Sequence, residues 1–291
     1  IGVFHNVTPP ELVDDPETRW KLGASLAQVH NLARCDEVLC DSAFNRYCLA
    51  ALGVAEVPTR VLELPPALDP LPRREAEDHR THVLFVGRFV RAKGVLDLLH
   101  ALARAVAEGA SDVQVTMAGS PVFSDRSVVA SLQDTIDDLG LTDTVEVLLA
   151  PDDVLLAERF AAADVLVLPS YHEGYCVPVV EAMASGCHLI VYDAGSLPDT
   201  AAGLGLLVET GNVEALGDAI ALYCSRRRNA PRAEMLVPTS SGDLPHDEWE
   251  RRVAAVMAGR SLEFYEQAFL EVLDDQFRQR GWTSPAWRAA S

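Results

Sequence analysis

Positive charge is scarce in this sequence. Its 24 lysines and arginines stand against 43 aspartates and glutamates, leaving a formal net charge of −19. An acidic surface repels the phosphates of nucleic acid and of anionic lipid alike, which excludes nucleic acid as a partner and limits any membrane contact to weak peripheral association. Long apolar runs are also missing: none approaches the roughly 18 residues that a spanning helix needs. The six cysteines (Cys35, Cys40, Cys48, Cys176, Cys187, Cys224) form no C-x-x-C pair and are too sparse for a disulfide scaffold, so a reducing, cytoplasmic setting is expected. No cluster of histidine, cysteine and aspartate has ligand spacing, and no metal site or cofactor is expected.

What the chain has in quantity is apolar residue content, 49% of 291 residues, enough for a large core and more in keeping with two domains than one. Strand-length apolar runs alternate with amphipathic segments of helix length, the pattern of an α/β protein with doubly wound parallel sheets. The first stretch predicts strands at residues 1–5, 37–40 and 59–64, with helices near 17–33 and 43–52. Residues 65–80, rich in proline and charge, read as a linker. A second alternation follows through "HVLFVG", "VQVTMAG", "VEVLLA", "ADVLVLPS", "HLIVYDA" and "GLLV". Strands this uniformly apolar are expected where both faces of a sheet are covered.

The predicted organisation is a first unit over 1–66, a linker over 67–80, a complete sheet unit over 81–225, and an excursion with C-terminal helices over 226–291. In that last part Val253, Val256, Leu262, Tyr265 and Phe269 fall at buried helical spacing. Three strands are few for a two-sided sheet, which commonly has about five or six. The chain begins at Ile1, and "IGVFHN" reads as a strand rather than a signal peptide. The front half of the first unit is therefore expected to lie outside this chain.

Ligands of open parallel sheets bind beyond the carboxyl ends of the strands, so the residues just after each strand carry the information. "HVLFVG" runs into "GRFVRAKG", where Arg88 and Lys93 flank a turn. They read either as a clamp for a diphosphate or as two solvated cations at a helix start. "ADVLVLPS" runs into "YHEGYCVPVVEAMASGC". Pro178 suits a first helical turn, and the amides of Tyr175, Cys176 and Val177 are placed to meet an anion at the helix N-terminus. Glu173 and Glu181 would face one crevice without sharing a face, and carboxylates beside a diphosphate find their natural partners in sugar hydroxyls. The plainer alternative makes Glu173 a cap and Glu181 half of a surface pair. His5, at a strand end, reads as structural or functional.

Taken together, "GRFVRAKG", "ADVLVLPSYHEGYCVPVVEAMASG" and "AGSLPDTAAGLGLLVETGNVEALGDAI" closely resemble the donor-binding domain of family 4 (group 1) retaining glycosyltransferases of the GT-B fold. "FHNVTPPE" and "CDSAFNR" are similar to the second half of that family's N-terminal domain. The resemblance implies two Rossmann-like domains, the N-terminal one incomplete, and transfer of a hexose-type sugar from a UDP- or GDP-linked donor to a glycan, lipid-linked or small-molecule acceptor, without a metal. It implies that Arg88 and Lys93 hold the diphosphate, Glu173 meets the transferred sugar, Tyr175 to Val177 offer amides to phosphate, Glu181 takes the ribose hydroxyls, Leu149 lies beside the base, Gly87 and Gly174 also belong to the donor site, and His5 approaches the sugar from across the cleft. Catalytic roles thus fall on His5, Arg88, Lys93 and Glu173.

Cys176 stands where the family often has glycine, His188 where proline is frequent, and Asp199 where glutamate is usual. The family's glycine-rich loop after its first strand has no counterpart here. Two other readings fit the same residues: a sugar-nucleotide epimerase of the same fold, and a truncated, non-catalytic nucleotide-sugar-binding module.

Overall fold

The computed structural model describes residues 1–74 and 80–282. Its first unit is a small parallel sheet in the order β1 (Gly2–Phe4), β2 (Val38–Cys40), β3 (Thr59–Val61), with α1 (Pro16–Gln28) and α2 (Ala43–Ala51) in the connections. Both helices start where a side chain satisfies an otherwise orphaned amide. Asp15 accepts from the Thr18 N–H at 2.7 Å and Ser42 from the Asn45 N–H at 3.0 Å. Phe4, Val29, Val38, Cys40, Leu49 and Val54 close a compact core between sheet and helices.

The second unit is larger. It runs β4 (Thr81–Val86), α3 (Val95–Ala107), β5 (Val113–Gly119), α4 (Arg126–Asp138), β6 (Val145–Leu149), α5 (Asp153–Ala162), β7 (Val165–Leu168), α6 (Val177–Ala184), β8 (His188–Tyr192), α7 (Leu197–Thr200), β9 (Leu206–Val208) and α8 (Val213–Asn229). All six strands are parallel, in the order β6-β5-β4-β7-β8-β9. The apolar strands lie where their composition demands, with β7 and β8 buried along their whole length. Helix α3 shows the reason for its own docking: Val95, Leu98, Leu99, Leu102 and Ala105 recur at helical spacing and are all buried against the sheet.

This strand order sets the position of any ligand. The chain winds outwards from β4 to β5 and β6, then returns to the other side of β4 with β7. Between the carboxyl ends of β4 and β7 the crossovers diverge and leave a crevice. The two loops that border it are the segments after "HVLFVG" and after "ADVLVLPS".

The rest of the chain departs from the expected excursion. Helix α8 continues past residue 225 to Asn229, followed by a small hairpin, β10 (Leu236–Val237) with β11 (Leu244–Pro245), and then α9 (His246–Ala258) and α10 (Leu262–Gln279). Helix α9 completes the core of the second unit: Trp249 is wholly buried, donates from Nε1 to the Leu204 carbonyl at 2.8 Å, and meets His188 edge-on at 4.6 Å. Helix α10 instead returns to the first unit, where Val272 packs with Leu39 and Leu62. Val253 is buried, and Val256, Tyr265 and Phe269 pack as their spacing predicts. Leu262 is 60% exposed because it opens α10 at the surface, just after its cap Ser261.

The linker segment is anchored as well. Arg73 donates to the Ala163 carbonyl at 2.6 Å and to the Asp164 carboxylate at 2.9 Å, and the Arg74 N–H bonds the Ala161 carbonyl at 2.9 Å. Among the described residues Asp164 is the one carboxylate amid three arginines, with Arg227 at 3.6 Å and Arg232 at 3.8 Å, and its second oxygen accepts from the His82 N–H. Beside this group His188 is fully enclosed; burial, then the charge of Arg232, holds its imidazole well below the usual histidine range. No described helix is long and apolar enough to cross a membrane, and all six cysteines carry free thiols.

Candidate functional site

The loop after β4 turns back through a short 3-10 helix, Arg91–Lys93, and reaches α3 through Gly94 at φ 62°. A Cβ at Gly94 would sit 2.0 Å from the Pro169 carbonyl oxygen. Only glycine permits that approach, and it draws Lys93 onto the end of β7. On the other side, Gly195 at φ 58° lies under the Glu173 backbone, and the Ser196 N–H bonds the Glu173 carbonyl at 3.0 Å. Three loops thereby converge on Glu173.

The result is an ion pair in the crevice: Lys93 Nζ lies 2.5 Å from Glu173 Oε1, with the side chains only 17% and 10% exposed. Arg88 stands beside them, exposed and without an ion pair among the described residues. His5, from the first unit, faces the same space. These residues, with His172 and Gly174, line a cavity of ≈ 180 Å³. His5 is held through Nδ1 by Asp41 at 2.6 Å, leaving Nε2 without a partner among the described residues. Burial raises the pKa of Asp41, and the hydrogen bond from His5 opposes that rise. The two units touch directly here: Ser42 Oγ donates to the Gly174 carbonyl at 2.6 Å, and a Cβ at Gly174 would lie 2.7 Å from the His5 carbonyl oxygen.

A neighbouring cavity of ≈ 380 Å³ shares Thr8, Arg88 and Ala92 with the first and opens between Leu12 to Asp15 of the first unit and Arg91, Ser124 and Arg126 of the second. Neither Arg91 nor Arg126 was singled out from the sequence; they follow different strands, and only the fold places them on one wall.

Of the remaining predicted residues, Gly87 follows β4 directly before Arg88, and the stem of Lys93 lies 3.9 Å from where its Cβ would be. Tyr175 and Cys176 are buried, and Tyr175 donates to the Leu64 carbonyl at 2.9 Å, which makes its side chain part of the seam between the units. Cys176 caps α6 at φ 76°, the left-handed region that glycine adopts without penalty, and burial pushes its thiol well above the usual range. Val177 opens α6. Leu149, 52% exposed, ends the outermost strand β6 and lies away from the ≈ 180 Å³ cavity.

Glu181 does not line that cavity. It lies one turn into α6, where its carboxylate accepts N–H groups of Ala67 and Leu68 from the linker. Burial pushes its pKa up to about 7, an effect the two N–H groups oppose and Asp153 reinforces. A carboxyl raised in the fold is ionised first in the unfolded chain, so stability falls as pH rises from about 4.5 to about 7 and is level above. Glu181→Gln should abolish this decline, worth on the order of 3 kcal/mol. Urea unfolding of both proteins at about pH 5 and about pH 8 measures it; parallel changes in the two would refute it. No group of three or more histidine, cysteine, aspartate or glutamate residues fit to hold a metal ion occurs among the described residues.

Two Rossmann-like sheets facing one another across a cleft, with a crevice at a switch point of the second, constitute the GT-B architecture. The solved structures agree: sucrose-phosphate synthase from Thermosynechococcus elongatus superposes with a TM-score of 0.72 at 22% identity, over 95% of this chain and 67% of that one. HepE from Anabaena in complex with UDP superposes at 0.67 and 19% identity, over 94% and 71%. Residues 71–236 match the family model "Glycosyl transferases group 1". The chain belongs to that family. A D-inositol 3-phosphate glycosyltransferase of Geodermatophilus obscurus is 28% identical over 272 residues, 88% of this chain. That match spans 58% of the relative's length.

Proposed function

We propose that the chain carries the donor site and part of the acceptor side of a retaining, metal-independent glycosyltransferase. It takes a hexose-type sugar from a UDP- or GDP-linked donor and passes it to a hydroxyl of an acceptor. The observation that carries this reading is the single cavity joining Arg88, the Lys93–Glu173 pair and His5 at the switch point of the second sheet. Cleavage of the sugar-to-phosphate bond builds negative charge on the nucleoside diphosphate. Arg88 and Lys93 stand ready to stabilise it where it develops, taking the part a divalent ion plays in other transferases. Glu173 accepts hydrogen bonds from hydroxyls of the transferred sugar, and His5, oriented by Asp41, meets that sugar from the opposite wall. The ≈ 380 Å³ cavity is the path for the acceptor, a glycan, a lipid-linked sugar or a small molecule, the class that the inositol phosphate named for the relative exemplifies. Glu181 takes the ribose hydroxyls once the linker amides release it.

A thermal-shift series with UDP, GDP, UDP-glucose and GDP-mannose tests the reading. A ligand at about 100 times its dissociation constant adds about 2.7 kcal/mol, a clear rise in melting temperature. Failure of all four at millimolar concentration would refute it.

A further inference from the structure

One group in the small cavity has no role in the scheme above. His172 immediately precedes Glu173 and contributes to the cavity wall with Arg88 and Lys93. Its ring meets Phe44 of the first unit edge-on at 5.7 Å. Its Nε2 is buried and has no hydrogen-bond partner among the described residues. Leaving such an atom unsatisfied costs about 1–3 kcal/mol, and folded proteins seldom do so without a reason. The residue that carries this atom lines an open cavity of ≈ 180 Å³.

We propose that His172 is a specificity-determining residue of the donor pocket, its Nε2 hydrogen-bonding a hydroxyl of the transferred sugar. The inference rests on the donor-site reading and extends it to a residue to which the resemblance assigns no role. The chemistry favours the sugar over the diphosphate. Glu173 is the adjacent residue, and its carboxylate repels a phosphate while welcoming a hydroxyl. Burial lowers the pKa of His172; the charge of Glu173 opposes this and that of Lys93 adds to it, with the net shift downward, so the neutral ring is favoured near pH 7. A neutral ring offers a donor on one nitrogen and an acceptor on the other, and a hydroxyl can answer either. The competing explanation is that His172 is only a ring packed in the seam against Phe44.

Isothermal titration of the full chain with UDP against UDP-glucose, and GDP against GDP-mannose, separates the two. His172→Phe keeps the ring on Phe44 and removes Nε2. It should weaken the nucleotide sugar about five- to tenfold, the loss expected for one uncharged hydrogen bond, and leave the free diphosphate unchanged. His172→Gln, which returns a polar atom to a similar reach, should recover most of the preference. Should the Phe variant not fold, His172→Asn takes its place, its amide too short to reach and the same loss expected. Equal weakening of diphosphate and sugar, or no change in either, overturns the assignment. Arg88→Ala is the control on the underlying reading: if it abolishes diphosphate binding while the His172 variants behave as wild type, the donor site stands and this inference falls. If no probe binds the wild-type chain, both fall together.

Discussion

Arg88→Ala should lower sugar transfer by about two to three orders of magnitude, the scale seen when one preorganised group facing developing charge is removed. The protein should meanwhile melt as wild type does. Arg88 is exposed at the mouth of the crevice and forms no ion pair among the described residues, so the fold draws little from it; surface changes of this kind usually stay within about 0.5 kcal/mol. Lys93→Ala would be a poorer probe, because it would strand the Glu173 carboxylate 10% exposed and mix instability with lost chemistry. Turnover of the enzyme with its preferred donor, measured beside the melting temperature, checks the expectation. Near-normal turnover in Arg88→Ala would remove the leaving-group role on which the mechanism depends.

The largest stability effect is expected far from the crevice. Asp164→Asn should destabilise the chain by about 3–5 kcal/mol, the range for breaking a buried charge pair from one side. Asp164 is 3% exposed and, among the described residues, supplies the sole carboxylate to Arg73, Arg227 and Arg232. Neutralising it leaves three guanidinium groups around one amide, at a place where burial and the charge of Arg232 already lower the pKa of Arg73. Urea denaturation reads the difference directly, and a loss below about 1 kcal/mol, the size of an exposed pair, would show that solvent reaches the cluster.

The second sheet was legible because strands covered on both faces must be apolar at nearly every position, and such runs are hard to mistake. The crevice loops were legible for a related reason: charged and glycine residues directly after apolar strands stand out against them. What the sequence hid are contacts whose partners lie far apart along the chain. Asp41 and Asp164 read as ordinary acids until the fold brings His5 to one and Arg73, 91 residues away, to the other. Glu181 is the instructive case. Helical spacing gives its phase on α6, but no local pattern reveals that the linker crosses over it. The same holds for α10: its apolar spacing announces a buried face without saying which unit will bury it, and Val272, its fully enclosed valine, finds its partners on β2 and the strand end after β3.

That return of α10 bears on how the two halves can move. The polypeptide passes between the units twice, once through the anchored linker and once between α9 and α10, where Arg260 reaches Glu63 at 2.6 Å and the Thr200 carbonyl at 2.7 Å. One crossing would act as a ball joint, but two separated crossings define a line, and relative motion reduces to swinging about it like a door on two pins. The crevice would then widen and narrow by rotation alone, with His5 sweeping an arc above Glu173.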